Sequence, residues 1–168
     1  EPSPAADTAR PETPQWSDPG RAATFANWLT AVAPQHELDV ASVRMASADA
    51  SFRRYFRVDR RGGAGSFIIM DAPPALENAR PFVDVAALMQ AAGLNVPQVL
   101  NWDEANGFLL LSDLGATTMM DAINPADPLA SLPLYQQAID ALLRWQLASR
   151  PGVLPAYDEA LLRRELAL

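Results

Sequence analysis

Residues 51–74 read SFRRYFRVDRRGGAGSFIIMDAPP, and the fold turns on them. Phe52, Arg54, Phe56 and Val58 alternate with Arg53, Tyr55 and Arg57, the two-residue period of a strand whose faces differ. Arg60-Arg61-Gly62-Gly63-Ala64-Gly65 then supplies the flexible connection of a hairpin. A second strand, Ser66-Phe67-Ile68-Ile69-Met70, stops at Asp71-Ala72-Pro73-Pro74, where the prolines remove backbone donors. Upstream, Leu38-Asp39-Val40 opens another strand. Three successive strands with short links predict an antiparallel meander.

Helices flank this core. Asp18-Pro19 pairs a capping side chain with a proline preset for the first helical turn. Phe25, Trp28, Leu29 and Val32 follow at helical spacing, and Pro34 is expected to end that helix. His36 is expected to be exposed in a polar turn. Pro81 suits the first turn of a second helix with Phe82, Val85, Leu88, Met89 and Ala92 as its stripe, capped by Gly93. Two more strands are expected at Val96–Trp102 and Phe108–Ser112, joined by a turn that ends in Asn106-Gly107. After Gly115 the pattern is helical. Tyr135, Ala138, Ile139, Leu142 and Leu143 mark one amphipathic helix, and a last one is expected from Tyr157 to Leu168. The apolar ending Leu166-Ala167-Leu168 reads as a truncation. Residues 1–19 hold five prolines among Ser, Thr and acids, the composition of a flexible tail with Trp16 only loosely held.

Composition narrows the functions. The 168 residues are 49% apolar, enough for a sizeable core, and carry a net charge of −7. That balance argues against a nucleic-acid binder or a basic membrane-surface protein. Without cysteine there is no disulfide, thiolate metal site or thiol nucleophile, and one histidine leaves little for a Ser-His-Asp site. No apolar run approaches the roughly 20 residues of a membrane span, and the start lacks the pattern of a secretory signal. A cytoplasmic location is expected. All 13 basic residues are arginines; there is no lysine.

Two segments carry candidate chemistry. The connection Ser47-Ala48-Asp49-Ala50-Ser51 has small side chains that let backbone amides come close to an anion. Ser47 and Ser51 add hydroxyls, and Arg53 or Arg54 adds a guanidinium suited to forked phosphate contact. Read alone, the same residues also describe an ordinary hairpin with surface arginines. The second segment, Phe108-Leu109-Leu110-Leu111-Ser112-Asp113-Leu114-Gly115, is an apolar strand that breaks into a polar turn. Backbone groups of Ser112, Asp113 and Leu114 are placed there to meet the edge of a flat heterocycle.

Taken in order, Asp49–Arg57, Ile69–Pro74, Pro81–Ala86, Gly93–Pro97 and Leu109–Gly115 resemble the aminoglycoside-phosphotransferase-like family over about residues 20–168. Within it the run is most similar to bacterial cell-wall amino-sugar kinases. The resemblance implies an α+β, protein-kinase-like small lobe: a five-stranded antiparallel sheet with one packed helix, in residues 20–114. The first helices of a large lobe would follow in 115–168. It implies ATP and Mg2+ as cofactors and an amino sugar, N-acetylmuramate or N-acetylglucosamine, as acceptor at its anomeric hydroxyl. Asp49 to Arg54 would cover the phosphates, Ile69 and Met70 would line the nucleotide pocket, and Ser112 to Leu114 would hold adenine. Asp84 is placed either to orient a phosphate-side arginine or as a solvated helix acid.

Two departures from the pattern stand out. The third-strand lysine of kinase-like folds is absent, with Met70 or Asp71 in its region; Arg53 or Arg54 is the expected substitute. The family's H-x-D-x-x-x-x-N loop is also absent, so no catalytic residue or Mg2+ ligand is expected among these residues. Taken alone, the chain is expected to bind nucleotide weakly and not to catalyse. Other acceptors (an aminoglycoside, a choline-like alcohol, an amino acid) stay open. So does a non-catalytic interaction module, self-associating through Tyr135–Leu143 or Tyr157–Leu168.

Overall fold

The computed structural model describes residues 14–48 and 52–167. The proline-rich segment 1–13 and Asp49, Ala50 and Ser51 lie outside that range. The chain divides into two compact units, one reaching Ala91 and adding Asn95–Thr117, the other made of Ala92–Leu94 and Thr118–Leu168.

The first unit is a sheet with a helix on each face. Strands β1 (Arg44–Ala48), β2 (Arg54–Asp59), β3 (Ser66–Asp71), β4 (Val99–Asp103) and β5 (Phe108–Ser112) form an antiparallel sheet in the order β1-β2-β3-β5-β4. The meander read from residues 51–74 is therefore present, and β5 inserts beside β3 to complete five strands. Helix α1 (Pro19–His36) begins at Asp18, whose carboxylate accepts the Gly20 amide at 2.8 Å. Phe25, Trp28, Leu29 and Val32 are buried against Phe56, Val58, Ile69, Phe108 and Leu110, one face of the sheet. Each such side chain contributes about 1.5–3 kcal/mol by leaving water. Met70, Ala72, Leu109 and Leu111 point the other way, where Phe82 and Val83 of helix α2 (Arg80–Ala91) pack with Tyr55, Ile68 and Trp102.

Several boundaries differ from the sequence expectations. Pro34 lies inside α1 instead of ending it. A proline this close to the end loses one helical bond, and Glu37, in a left-handed conformation, closes the helix by donating its amide to Ala33. His36 is half-buried edge-on to Phe67 and not exposed. Leu38-Asp39-Val40 does not open a strand: the Asp39 carboxylate caps the Ala41 amide, and a short 3-10 turn, Val40–Ser42, takes its place. Trp16 is packed between Phe25 and Phe56, with ring centroids 5.0 and 5.8 Å away. The β4 strand starts at Val99, after Pro97.

In the second unit, helix α3 (Met119–Ala122) carries a capping box between Thr118 and Asp121, and Asp127 caps the 3-10 turn Pro128–Ser131. Helix α4 (Leu132–Ala148) holds the expected stripe, with Tyr135, Ile139, Leu142 and Leu143 exposed. Helix α5 (Glu159–Leu166) is capped by Asp158 and starts at Glu159, two residues inside the expected span.

Gly107 closes the β4–β5 turn at φ +71°, and a Cβ there would stand 1.9 Å from the Ala72 carbonyl oxygen. That carbonyl belongs to the residue whose amide bonds to Gly107, so neither side can yield cheaply. Gly107→Ala is expected to destabilise the chain by about 2 kcal/mol or more. Thermal unfolding followed by circular dichroism checks this.

Candidate functional site

The two ends of the sheet are set by arginine–carboxylate pairs. At the end where β2 begins and β3 finishes, the Asp71 carboxylate is fully buried. Its Oδ1 accepts Nε and Nη2 of Arg21 at 3.0 and 2.5 Å, and its Oδ2 accepts Nε and Nη2 of Arg54 at 3.1 and 2.5 Å. Each oxygen thus accepts both Nε and Nη2 of one guanidinium, so the carboxylate is shared by two arginines through charge-assisted bonds. Arg21 lies over the Phe108 ring and Arg54 over Trp16 and Phe56, while Arg54 Nη1 also donates to the Gln15 carbonyl. All of this is on the α1 face.

Arg53 goes elsewhere. Its Nε donates to Oε2 of Glu77 at 3.2 Å, and Oε1 of the same carboxylate accepts the Phe52 amide at 3.1 Å. Glu77, in the loop between β3 and α2, therefore holds two consecutive residues at the root of the β1–β2 connection.

The opposite end, where β5 finishes, is tied by Asp113. Its Oδ2 accepts Arg57 Nε and the Ser66 hydroxyl, each at 2.6 Å, and its Oδ1 accepts the Gly115 amide at 2.8 Å. Arg57 Nη2 reaches Oδ1 at 3.2 Å and the Gly115 carbonyl at 3.1 Å. Burial works against the Asp113 charge, but the hydrogen bonds from Arg57, Ser66 and Gly115 outweigh it and draw the pKa down to about 2.

The predicted site residues separate by face. Ser47 is exposed near the end of β1; Ala48 closes that strand, and Asp49, Ala50 and Ser51 lie outside the described residues. Met70 sits on the α2 face, but Ile69 is buried beneath α1, so the two cannot line one pocket. Arg54 is likewise turned to the α1 face and committed to Asp71. Ser112, Asp113 and Leu114 come together at the end of β5. The Ser112 amide and hydroxyl are both used by Gln98, whereas Leu114, 53% exposed, has no backbone hydrogen-bond partner among the described residues. Asp84 is exposed and forms no ion pair among the described residues, as befits a solvated helix acid. A cavity of about 220 Å³ lies where Glu77, Asn78, Arg80, Trp102 and Glu104 approach. It is smaller than the roughly 300–1,000 Å³ of ordinary ligand pockets.

Sequence reasoning missed Arg21, Glu77, Arg57 and Ser66 as partners. The Arg54–Asp71 pair was within reach. Counting five positions back from Asp59 and five on from Ser66, across the hairpin, makes them cross-strand partners.

The model of the phosphotransferase enzyme family matches residues 42–168. The chain belongs to that family. Its α+β architecture, a five-stranded antiparallel sheet with helices, is consistent with the family's kinase-like small lobe. Among curated proteins it is 47% identical over 159 residues to the N-acetylmuramate/N-acetylglucosamine kinase of Pseudomonas aeruginosa, covering 90% of this chain and 46% of that protein. It is 50% identical over 132 residues to the kinase of the same name from Pseudomonas putida, covering 79% and 38%. The one from Neisseria meningitidis is 42% identical over 143 residues, covering 84% and 41%. The chain thus spans less than half the length of the relatives it matches.

Asp113 supplies a pH signature. Its folded pKa of about 2 lies below the ordinary 3.8, so its contribution is complete above pH 3.8 and lost as pH falls through 2. Asp113→Asn is expected to flatten the pH dependence of unfolding free energy between about pH 4 and 2. Denaturant titrations at stepped pH check this.

Proposed function

We propose that this chain is the ATP-binding portion of a kinase that transfers the γ-phosphoryl group of ATP to the anomeric hydroxyl of N-acetylmuramate or N-acetylglucosamine, in cell-wall recycling. The observation that carries the reading is the 42–50% identity to kinases of those sugars over 79–90% of the chain. In this reading residues 20–114 are the nucleotide-binding small lobe and 115–168 open the helical large lobe. The cytoplasm is its place; among the described residues no helix is long and apolar enough to cross a membrane. The net charge of −7 speaks against nucleic acid as a partner. The exposed apolar side chains of α4 support contact with a second copy when the chain stands alone.

The residues present suit the base end of a nucleotide. The α2 face offers the half-buried side chains of Tyr55 and Ile68 beside buried Met70 and Leu111, an apolar bed for a flat ring. Leu114 offers a peptide N–H and C=O for its edge. At the other end of the sheet the β1–β2 connection, from Ser47 and Ala48 through Asp49, Ala50 and Ser51, would meet the phosphates, with Arg53 held beside it by Glu77. Both arginines are paired, Arg53 with Glu77 and Arg54 with the buried Asp71; Arg53 is the better-placed substitute for the absent lysine because Glu77 holds it at the root of the connection, whereas Arg54 is turned to the α1 face. For Mg2+ the described residues do not fit: no three metal-ligating side chains gather among them.

The full-length protein should phosphorylate N-acetylmuramate with MgATP, read by coupled release of ADP and by isolation of the sugar phosphate. Arg53→Ala should raise KM for ATP about tenfold, the loss of one charge-assisted contact, with the KM for sugar little changed. Failure of the wild type to turn over either amino sugar, with turnover of another alcohol, would move the reading to a different acceptor.

A further inference from the structure

Around the end of β5 the turn is tied by hydrogen bonds at Ser112 and at Gly115. Ser112 donates its amide to Gln98 at 3.0 Å, and its hydroxyl accepts the Gln98 amide at 2.9 Å. Gly115 has both peptide groups engaged, its N–H by Asp113 and its C=O by Arg57. Leu114 between them keeps both of its own groups without a partner among the described residues. Leu114 is exposed, so its peptide N–H and C=O are open to an outside partner while the turn on either side of it is held in place.

The turn is held from a distance. Arg57 lies on β2, separated from β5 by the whole of β3, and its side chain crosses that strand to reach Asp113. Ser66, the first residue of β3, adds its hydroxyl to the same carboxylate. Gly115 sits at φ +103°, a conformation that side-chain-bearing residues rarely adopt. The pair therefore sets the direction of the Leu114 peptide by gripping Gly115 on both sides. The forked guanidinium fixes orientation in a way that a point charge on a flexible stem would not. The Arg57 charge is also cancelled locally, which suits recognition of an uncharged ring and not of phosphate.

We infer that Arg57, acting through Asp113 and Gly115, is the positioning residue for base recognition, holding the Leu114 N–H and C=O toward the edge of an adenine ring. The inference rests on the reading of the chain as an ATP-binding portion. Arg57 touches no reacting atom, so its effect falls on the base and not on the phosphates.

The test compares two probes on the full-length protein by titration calorimetry: ATP, which has base and phosphates, and inorganic tripolyphosphate, which has only the latter. Arg57→Ala is expected to weaken ATP about tenfold while changing tripolyphosphate less than about twofold. Ser66→Ala, which removes one hydrogen bond to Asp113 and spares the fold, is expected to weaken ATP about two- to threefold in the same selective way. It keeps the question answerable if Arg57→Ala does not fold. Equal weakening of both probes would show a general structural role and overturn the inference, as would unchanged ATP binding in both variants. No ATP binding by the wild type would overturn the functional reading itself and take the inference with it.

Discussion

The first unit depends on one buried carboxylate. Asp71 has no exposure to solvent, and an isolated charge in that position would cost several kcal/mol of lost hydration. Two arginine forks, four hydrogen bonds in all, offset that cost. The partners come from α1 and β2 and the acid from β3, so the pair fixes α1 against the edge where the sheet begins its β1–β2 connection. Arg54 then carries the tie outward to Gln15 and Trp16, which explains why the aromatic of a proline-rich segment is packed and not loose. Because pieces far apart in sequence meet at one group, removing the acid would leave two cations facing each other.

A chain with no lysine uses arginine for tasks that need direction. Arg21 and Arg54 share Asp71, Arg53 meets Glu77, and Arg57 meets Asp113. The side chains of Asp71, Glu77 and Asp113 are 0, 14 and 7% exposed, so these are not the loosely solvated surface pairs that contribute little. Their arrangement separates the faces of the sheet. One pair secures the α1 face, and the others brace the two ends between which a nucleotide would lie. At about 3.3 Å per residue, strands of five or six residues separate those ends by roughly 15–20 Å.

Much of this was legible in the sequence because it is local. Alternation in 54–58 gave the strand and its faces, though Phe52 lies before the strand and is exposed; the glycines of 60–65 gave the turn, and Asp18-Pro19 gave the start of α1. What failed was decided by tertiary contacts or by capping. Asp39 uses its side chain to cap a turn, which ended the expected strand, and Pro34 was tolerated because the helix closes three residues later. Ile69 and Met70, consecutive on β3, face opposite sides of the sheet by the same two-residue period that sorts 54–58. Arg21 carried no local sign of its partner, fifty residues away, and Glu77 could not be joined to Arg53 without knowing how the loop after β3 folds back.

The central claim is that nucleotide lies on the α2 face of the sheet, between the root of the β1–β2 connection and the end of β5. Hydrogen exchange of the full-length protein with and without a non-hydrolysable ATP analogue tests it directly. The account predicts slowed exchange at the amides of Phe52–Arg54 and of Leu114, with α1 unchanged. Protection confined to α1, with residues 52–54 and 114 unaffected, would contradict it.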